Sequence, residues 1–220
     1  LETFSEGDSY EIKFWRATNP VNDGYGDGKF RVYTQDFEAA MISRLNWLED
    51  FSENSSSWQR NIFSNLIDNE GFKVKFINRT ADLLNTAFTK ERFDAIVNAT
   101  FDEVAPLLEE DRNRSPRLRF YEDGDKVKLL NWIQERPAIF RGQINELFNI
   151  DKTIDVRLSV SNNNAGYITL NTVDINGTTP GVKDKPYPWT GVYFSNIPIT
   201  LEAKPRPGYT FSYWTGASTS

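Results

Sequence analysis

Apolar residues recur along the first two-thirds of this chain at the spacing of a helix face, and along the last third at the spacing of strands. Ile42, Leu45, Leu48 and Phe51 fall every three residues and Trp58, Ile62 and Leu66 every four, so each set lines one side of a 3.6-residue helix. Asn69-Glu70-Gly71 reads as a helix end, with Gly71 as the left-handed cap residue. Phe72, Phe76, Leu83, Leu84 and Phe88 form the next stripe. Thr89 can cap a long helix bearing Phe93, Ile96, Val97, Val104, Leu107 and Leu108. After a polar loop, Asp125 starts a helix through Val127, Leu130 and Ile133; Arg136-Pro137 is predicted to break it. Ile139, Phe140, Ile144, Leu147 and Phe148 then line one more. Ahead of all these, residues 8–31 read as loop and two short strands, with Asn22-Asp23-Gly24 and Asp27-Gly28 as turn signals.

Near Asp151 the texture changes to short β-branched runs broken by Asn, Gly and Pro. Residues 154–160, 167–173, 191–194, 197–203 and 209–214 are predicted strands of a small antiparallel sheet. The charge changes there too: residues 152–220 hold six Lys/Arg against four Asp/Glu, a balance of +2, and the first 151 carry −8. The expectation is an α+β chain. A mostly helical lobe with a small β-hairpin (1–151) precedes a small antiparallel β domain (152–220), which is near the lower size limit for independent stability.

Composition narrows the chemistry. The chain has 220 residues with 14% aromatics and 25% charged residues, which is enough for a packed core. No run approaches the roughly 18 apolar residues that would span a bilayer. The chain opens at Leu1-Glu2-Thr3 and is read as an internal piece of a longer polypeptide. Zero cysteines remove disulfide and thiol chemistry, and zero histidines remove Ser-His-Asp catalysis, the usual zinc sites and the usual general base near neutrality. Carboxylates, Lys/Arg, hydroxyls and oxygen-bound cations are what is left. The net charge of −6 argues against nonspecific nucleic-acid binding.

The most informative stretch runs from Lys29 to Met41. Phe30, Val32 and Tyr33 read as a buried strand that ends on the acidic pair Asp36-x-Glu38, with a helical pattern following at once. Carboxylates at a strand exit can hold a hard cation such as Mg²⁺ against phosphate. Equally, an Asp before a helix can be an N-cap. Asp8 lies 28 residues before Asp36 with the turns between them, so a β-hairpin could bring the two side by side. Kinase-like phosphoryl transfer uses such a plan, with one Asp orienting the hydroxyl and a second, at a strand end, holding the metal.

Residues 8–151 resemble the C-terminal lobe of the CotH (spore-coat protein H) family of atypical kinases. Lys29-Phe30-Arg31 through Asp36-Phe37-Glu38 is similar to that family's strand ending in a metal motif, and Phe14-Trp15-Arg16 to its preceding aromatic segment. Phe72-Lys73-Val74-Lys75-Phe76-Ile77-Asn78-Arg79 with Phe88-Thr89 resembles its middle helices, and 129–148, with Glu135-Arg136-Pro137 in the middle, its closing helix pair. The resemblance implies ATP with Mg²⁺ or Mn²⁺ as cofactors, Asp36 and Glu38 as metal residues, and Asp8 as the catalytic Asp. Lys13 occupies the cofactor-binding position five after Asp8, where the family's pattern has Asn. An ammonium there repels a cation by about 4 kcal/mol at 4 Å for an effective dielectric near 20. Gln35 likewise stands where a His or Trp is common. The phosphate-contacting Lys of the upstream lobe lies outside these residues, so this piece alone is expected to be inactive. A catalytically inactive pseudokinase scaffold is the alternative. The implied partner is a protein substrate or cell-surface component, with no nucleic acid and no membrane span.

The tail resembles a different family, the internalin-B-type bacterial surface repeat. Trp189-Thr190-Gly191-Val192-Tyr193-Phe194, Pro198-Ile199-Thr200-Leu201-Glu202-Ala203 and Pro207-Gly208-Tyr209-Thr210-Phe211 with Trp214 carry that likeness. It implies a secreted or surface-attached bacterial protein. Trp189, Tyr193, Tyr209 and Trp214 are expected to be most of the β domain's core, with a sugar-stacking platform as the other reading. Arg112, Arg114, Arg117 and Arg119 read as a solvated run pairing with Glu109, Glu110 and Asp111, or as a phosphate grip. The triplets headed by Asn54, Asn78, Asn98 and Asn176 match the glycosylation pattern, mostly by chance. Trp15 and Arg16 can simply brace the hairpin.

Overall fold

The computed structural model describes residues 12–21, 26–34, 48, 58–114 and 123–216. Strands β1 (Ile12–Trp15) and β2 (Arg31–Thr34) form an antiparallel hairpin with Ile12 opposite Thr34 and Trp15 opposite Arg31. Four helices follow among the described residues: α1 (Trp58–Ile67), α2 (Glu70–Asn85), α3 (Lys90–Arg114) and α4 (Asp123–Leu147). Five strands close the chain: β3 (Thr153–Leu158), β4 (Gly166–Leu170), β5 (Val173–Asp174), β6 (Trp189–Phe194) and β7 (Leu201–Pro205). β3 pairs with β6, and β4 lies between β5 and β7, all antiparallel. The class is α+β, as expected.

Two readings of the helical segment change. Asn69-Glu70-Gly71 opens α2 instead of ending a helix with Gly71. Asn69 has extended backbone (φ −82°, ψ 113°), and its Oδ1 accepts from the Phe72 N–H at 3.0 Å, an N-cap with Glu70 in the positive first turn. Arg136-Pro137 does not break α4. A helix-interior proline costs about 3 kcal/mol, but Ile133 and Ile144 are buried on either side of it, each contributing about 1.5–3 kcal/mol. The buried Arg136 guanidinium also lies over both the Trp132 ring (5.9 Å) and the Phe140 ring (5.3 Å), spanning the proline. α4 then stops on a left-handed Asn149 (φ 51°), with Ile150 N–H bonding to Asn145 C=O at 2.8 Å, the pattern of a Schellman cap.

In the β segment, the predicted strand 167–173 is two strands joined at Asn171-Thr172, where Asn171 takes φ 49°. Asn tolerates this conformation better than most residues, which is why it can sit in the turn. The predicted strand 209–214 is absent. Pro207 and the left-handed Gly208 (φ 86°) turn the chain just ahead of it, and Tyr209 N–H closes a turn on Arg206 C=O at 3.0 Å. Tyr209 and Trp214 are therefore exposed, and of the four aromatics expected in the core only Trp189 and Tyr193 are buried.

One hydrophobic core joins the helical and β segments. Leu48, Ile77, Ala81 and Ile144 pack in a single cluster with Leu158, Ile168, Leu170, Val173, Ile175, Trp189, Tyr193 and Phe194. Phe76 extends it on the helical side, meeting Phe63 edge-on at 5.1 Å and Phe148 at 6.2 Å.

Candidate functional site

Of the residues the sequence nominates, Lys13 lies on β1 with its backbone opposite Tyr33. Asp8, Asp36 and Glu38 fall outside the described residues, and so does the choice between N-cap and metal residue at Asp36. The hairpin meant to carry them is present. Ile12 and Thr34 are cross-strand partners, and in sequence Asp8 stands four residues before the one and Asp36 two after the other.

The opposite end shows how the hairpin is held. Asp27 Oδ1 accepts from the Lys29 N–H (3.1 Å) and from Arg31 Nη1 (2.7 Å). The Arg31 bond, more than the Lys29 amide, lowers the Asp27 carboxyl to about 2. Gly28 adopts φ +74°, and a Cβ there would stand 2.8 Å from Pro20 Cγ, so the turn admits only glycine without a shift. Arg16 lies 4.7 Å over the Phe30 ring and Arg31 lies 5.7 Å over Trp15. Trp15 and Arg16 do brace the hairpin, by cation–π stacking across the strand pair.

The densest polar assembly among the described residues lies elsewhere, along α2. Asp82 is fully buried. Its Oδ1 accepts from Asn171 Nδ2 (3.1 Å) and Tyr193 Oη (2.9 Å), and its Oδ2 from Thr172 N (3.2 Å) and Thr172 Oγ1 (2.8 Å). A carboxylate only accepts, and here donors approach both oxygens. Thr172 Oγ1 in turn accepts from Arg79 Nη1 at 2.8 Å. One turn on, Asn85 pairs with the β6 backbone: its Nδ2 donates to Val192 C=O (2.9 Å) and its Oδ1 accepts from Val192 N–H (2.9 Å). Arg141 Nη2 donates to the same Oδ1 at 3.0 Å. Asn78 Nδ2 donates to Pro198 C=O at 2.8 Å. Burial, then the Asp82 charge, raises the Tyr193 hydroxyl well above the usual phenol range, and burial lowers Arg141. Ligand binding was not read from these residues in the sequence, and neither was this seam. Its signal was Asn78, Asp82 and Asn85 recurring four and three apart, with Asn78 directly after Ile77 and Asp82 directly after Ala81, on a face that should be apolar.

The remaining nominated groups resolve individually. Arg114 pairs with Glu110 at 2.6 Å on the surface of α3, the local pairing expected of that run, while Arg117 and Arg119 lie outside the described residues. Asn78 is buried and bonded, which closes it to glycosylation. The Asn176 side chain accepts from Thr178 N and Oγ1 at 2.9 and 2.7 Å, and Asn54 falls outside the described residues. Among the described residues no group of three or more carboxylates or other metal-ligating side chains occurs, and no helix is long and apolar enough to cross a membrane.

A family model described as CotH kinase protein matches residues 2–140, which include the hairpin, α1 to α3 and most of α4. The chain belongs to the CotH kinase family. No curated protein and no solved structure matches it. Membership makes this a kinase-like protein, and dependence on nucleotide and metal is the general expectation for one. The CotH match contains Asp8, Lys13, Asp36 and Glu38 and also the α2 face with Asn78, Asp82 and Asn85. Strands β3 to β7, which bond to that face, lie beyond it.

Proposed function

We propose that the chain is the C-lobe part of a CotH-like kinase that transfers phosphate from ATP to a protein hydroxyl. One observation supports this reading: within the CotH match lies a paired hairpin whose Ile12–Thr34 end is four residues after Asp8 and two before Asp36 in sequence. A braced hairpin suits the task, because phosphoryl transfer asks mainly for position and charge. Asp36 and Glu38 offer hard oxygen donors of the kind Mg²⁺ or Mn²⁺ prefers, and the ion would offset charge on the phosphates. Asp8 orients the acceptor hydroxyl and takes its proton. The test is to add the upstream lobe and measure transfer of labelled phosphate with and without Asp36→Ala. Loss of at least about a hundredfold is expected; equal rates in the two proteins would overturn the reading.

Lys13 favours a second reading, a pseudokinase scaffold. A cation five residues after the catalytic position opposes the metal. Calorimetry of the two-lobe protein with Mn²⁺-ATP separates the two, because tight metal-dependent binding argues against a pure scaffold. The internalin-B-like tail supports a bacterial cell-surface or secreted setting, with a kinase segment to about residue 151 and a β-repeat module after it. Its acceptor would then be an extracellular protein or wall component.

A further inference from the structure

The β segment is small. A core of that size, without disulfides or metal, rarely supplies more than about 3–5 kcal/mol on its own. Its strands nevertheless enclose fully buried Leu170, Ile175 and Tyr193, and the helical segment supplies Ile77, Ala81 and Ile144 to the same cluster. Four separate stretches of the β segment grip α2. They are the Asn171-Thr172 turn on Asp82 and Arg79, Val192-Tyr193 of β6 on Asn85 and Asp82, Pro198 on Asn78, and the loop at Gly181. At the last of these, Gly181 (φ +83°) presses so close to the α2 C-cap that an added Cβ would lie 1.9 Å from Thr86 C=O. Toward the other helices, α2 presents the Phe76 ring, which meets Phe63 of α1 and Phe148 just past α4, together with Ile77 and Ala81 in the cluster with Ile144 and Asn85 bonded to Arg141.

Polar groups decide the matter. Apolar contacts tolerate sliding, but a buried carboxylate and a buried amide paired to named backbone atoms do not. Remove the β segment and Asp82, Asn78 and Asn85 lose every partner named above except Arg141, which stays with Asn85. A fully buried carboxylate would then need resolvation, so α2 could not keep its present surroundings.

We propose that α2 is the β module's own helix. Residues 70–86 and 153–205 form one cooperative unit that crosses the end of the CotH match. Through that unit the module fixes where the kinase-family helices stand. The CotH segment thus has an intramolecular docking face, the Asn78–Asp82–Asn85 side of α2, and its partner is an antiparallel β module offering turn and edge donors. This holds whether the CotH segment is active or not.

Hydrogen exchange read by mass spectrometry on the full chain tests it. In Tyr193→Phe, which removes one donor from Asp82, amides of α2 and of β6 should exchange faster together, by about 10- to 100-fold. The first half of α3 should stay within about threefold of wild type. Leu158→Ala, which opens a cavity in the module away from the seam's polar groups, should carry α2 with it in the same way. If α2 keeps wild-type protection while β6 loses it, α2 does not belong to the module. If α2, α3 and β6 all move together, the chain is one undivided unit and the assignment to the module fails.

Discussion

Replacing Asp82 by Asn tests whether the seam is held by a carboxylate. The side chains have nearly the same shape, so packing is preserved and only the hydrogen-bond logic changes. The new NH₂ must take the place of one oxygen. At the Oδ2 position it faces the Thr172 N–H, a backbone donor that cannot rotate away. At the Oδ1 position it faces Asn171 Nδ2, and Asn171 cannot flip freely because its own Oδ1 accepts from Thr200 N–H at 2.8 Å. Either way at least one buried donor is orphaned, at about 1–3 kcal/mol, and the surviving bonds lose their charge assistance. The expected loss is about 3 kcal/mol, or roughly 6–12 °C in Tm for a chain of this length. Urea and thermal unfolding by circular dichroism read it directly. Asp155→Asn, an exposed β3 position, serves as the control and should stay within about 0.5 kcal/mol. An Asp82→Asn protein within about 1 kcal/mol of wild type would refute the claim that four donors converge on an acceptor-only group.

Alkaline pH should destabilise the chain through its buried phenols. Burial raises Tyr187 to about 12, and Tyr193 is raised by burial and by Asp82. Both folded values exceed the unfolded one near 10, so their contribution is intact below about pH 10 and is lost as pH rises toward 12. Denaturant midpoints across that window check this; Tyr187→Phe and Tyr193→Phe should each flatten the decline, and an unchanged slope in both would contradict it. Gly181→Ala should cost at least about 2 kcal/mol in urea unfolding, from left-handed strain and a clash with the Thr86 carbonyl. A neutral result would mean that the loop does not press on the α2 cap.

The sequence shows elements more readily than it shows how they meet. Helix stripes such as Phe93–Val97 and the hairpin turn at Asp27-Gly28 follow from spacing and turn chemistry, which are local. Gly71 misled because a glycine near a boundary suits both a cap and a first turn, and Asn69 decided between them by reaching Phe72 N–H. Pro137 misled because its cost is local while what offsets it, Ile133, Ile144 and the stacked Arg136, is tertiary. Asp82 was passed over for a related reason. Acidic residues draw notice at strand exits, where they can meet a cation, and less notice mid-helix, where they usually face water. Only the fold brings Asn171, Thr172 and Tyr193, about ninety to a hundred and ten residues downstream, onto it.

The two polar assemblies differ in a way that bears on any functional assay. The hairpin brace is built from Asp27, Arg31, Arg16 and exposed rings. Screened surface pairs of this kind contribute little to stability, so changes there can alter the aim of the strand ends with little loss of fold. The α2 seam is buried, and breaking it removes stability before it touches chemistry. A phosphate-transfer defect from Arg31→Ala at unchanged Tm would therefore locate function at the hairpin. The same defect from Asp82→Asn would follow the folded fraction and recover on cooling or with added stabilising osmolyte.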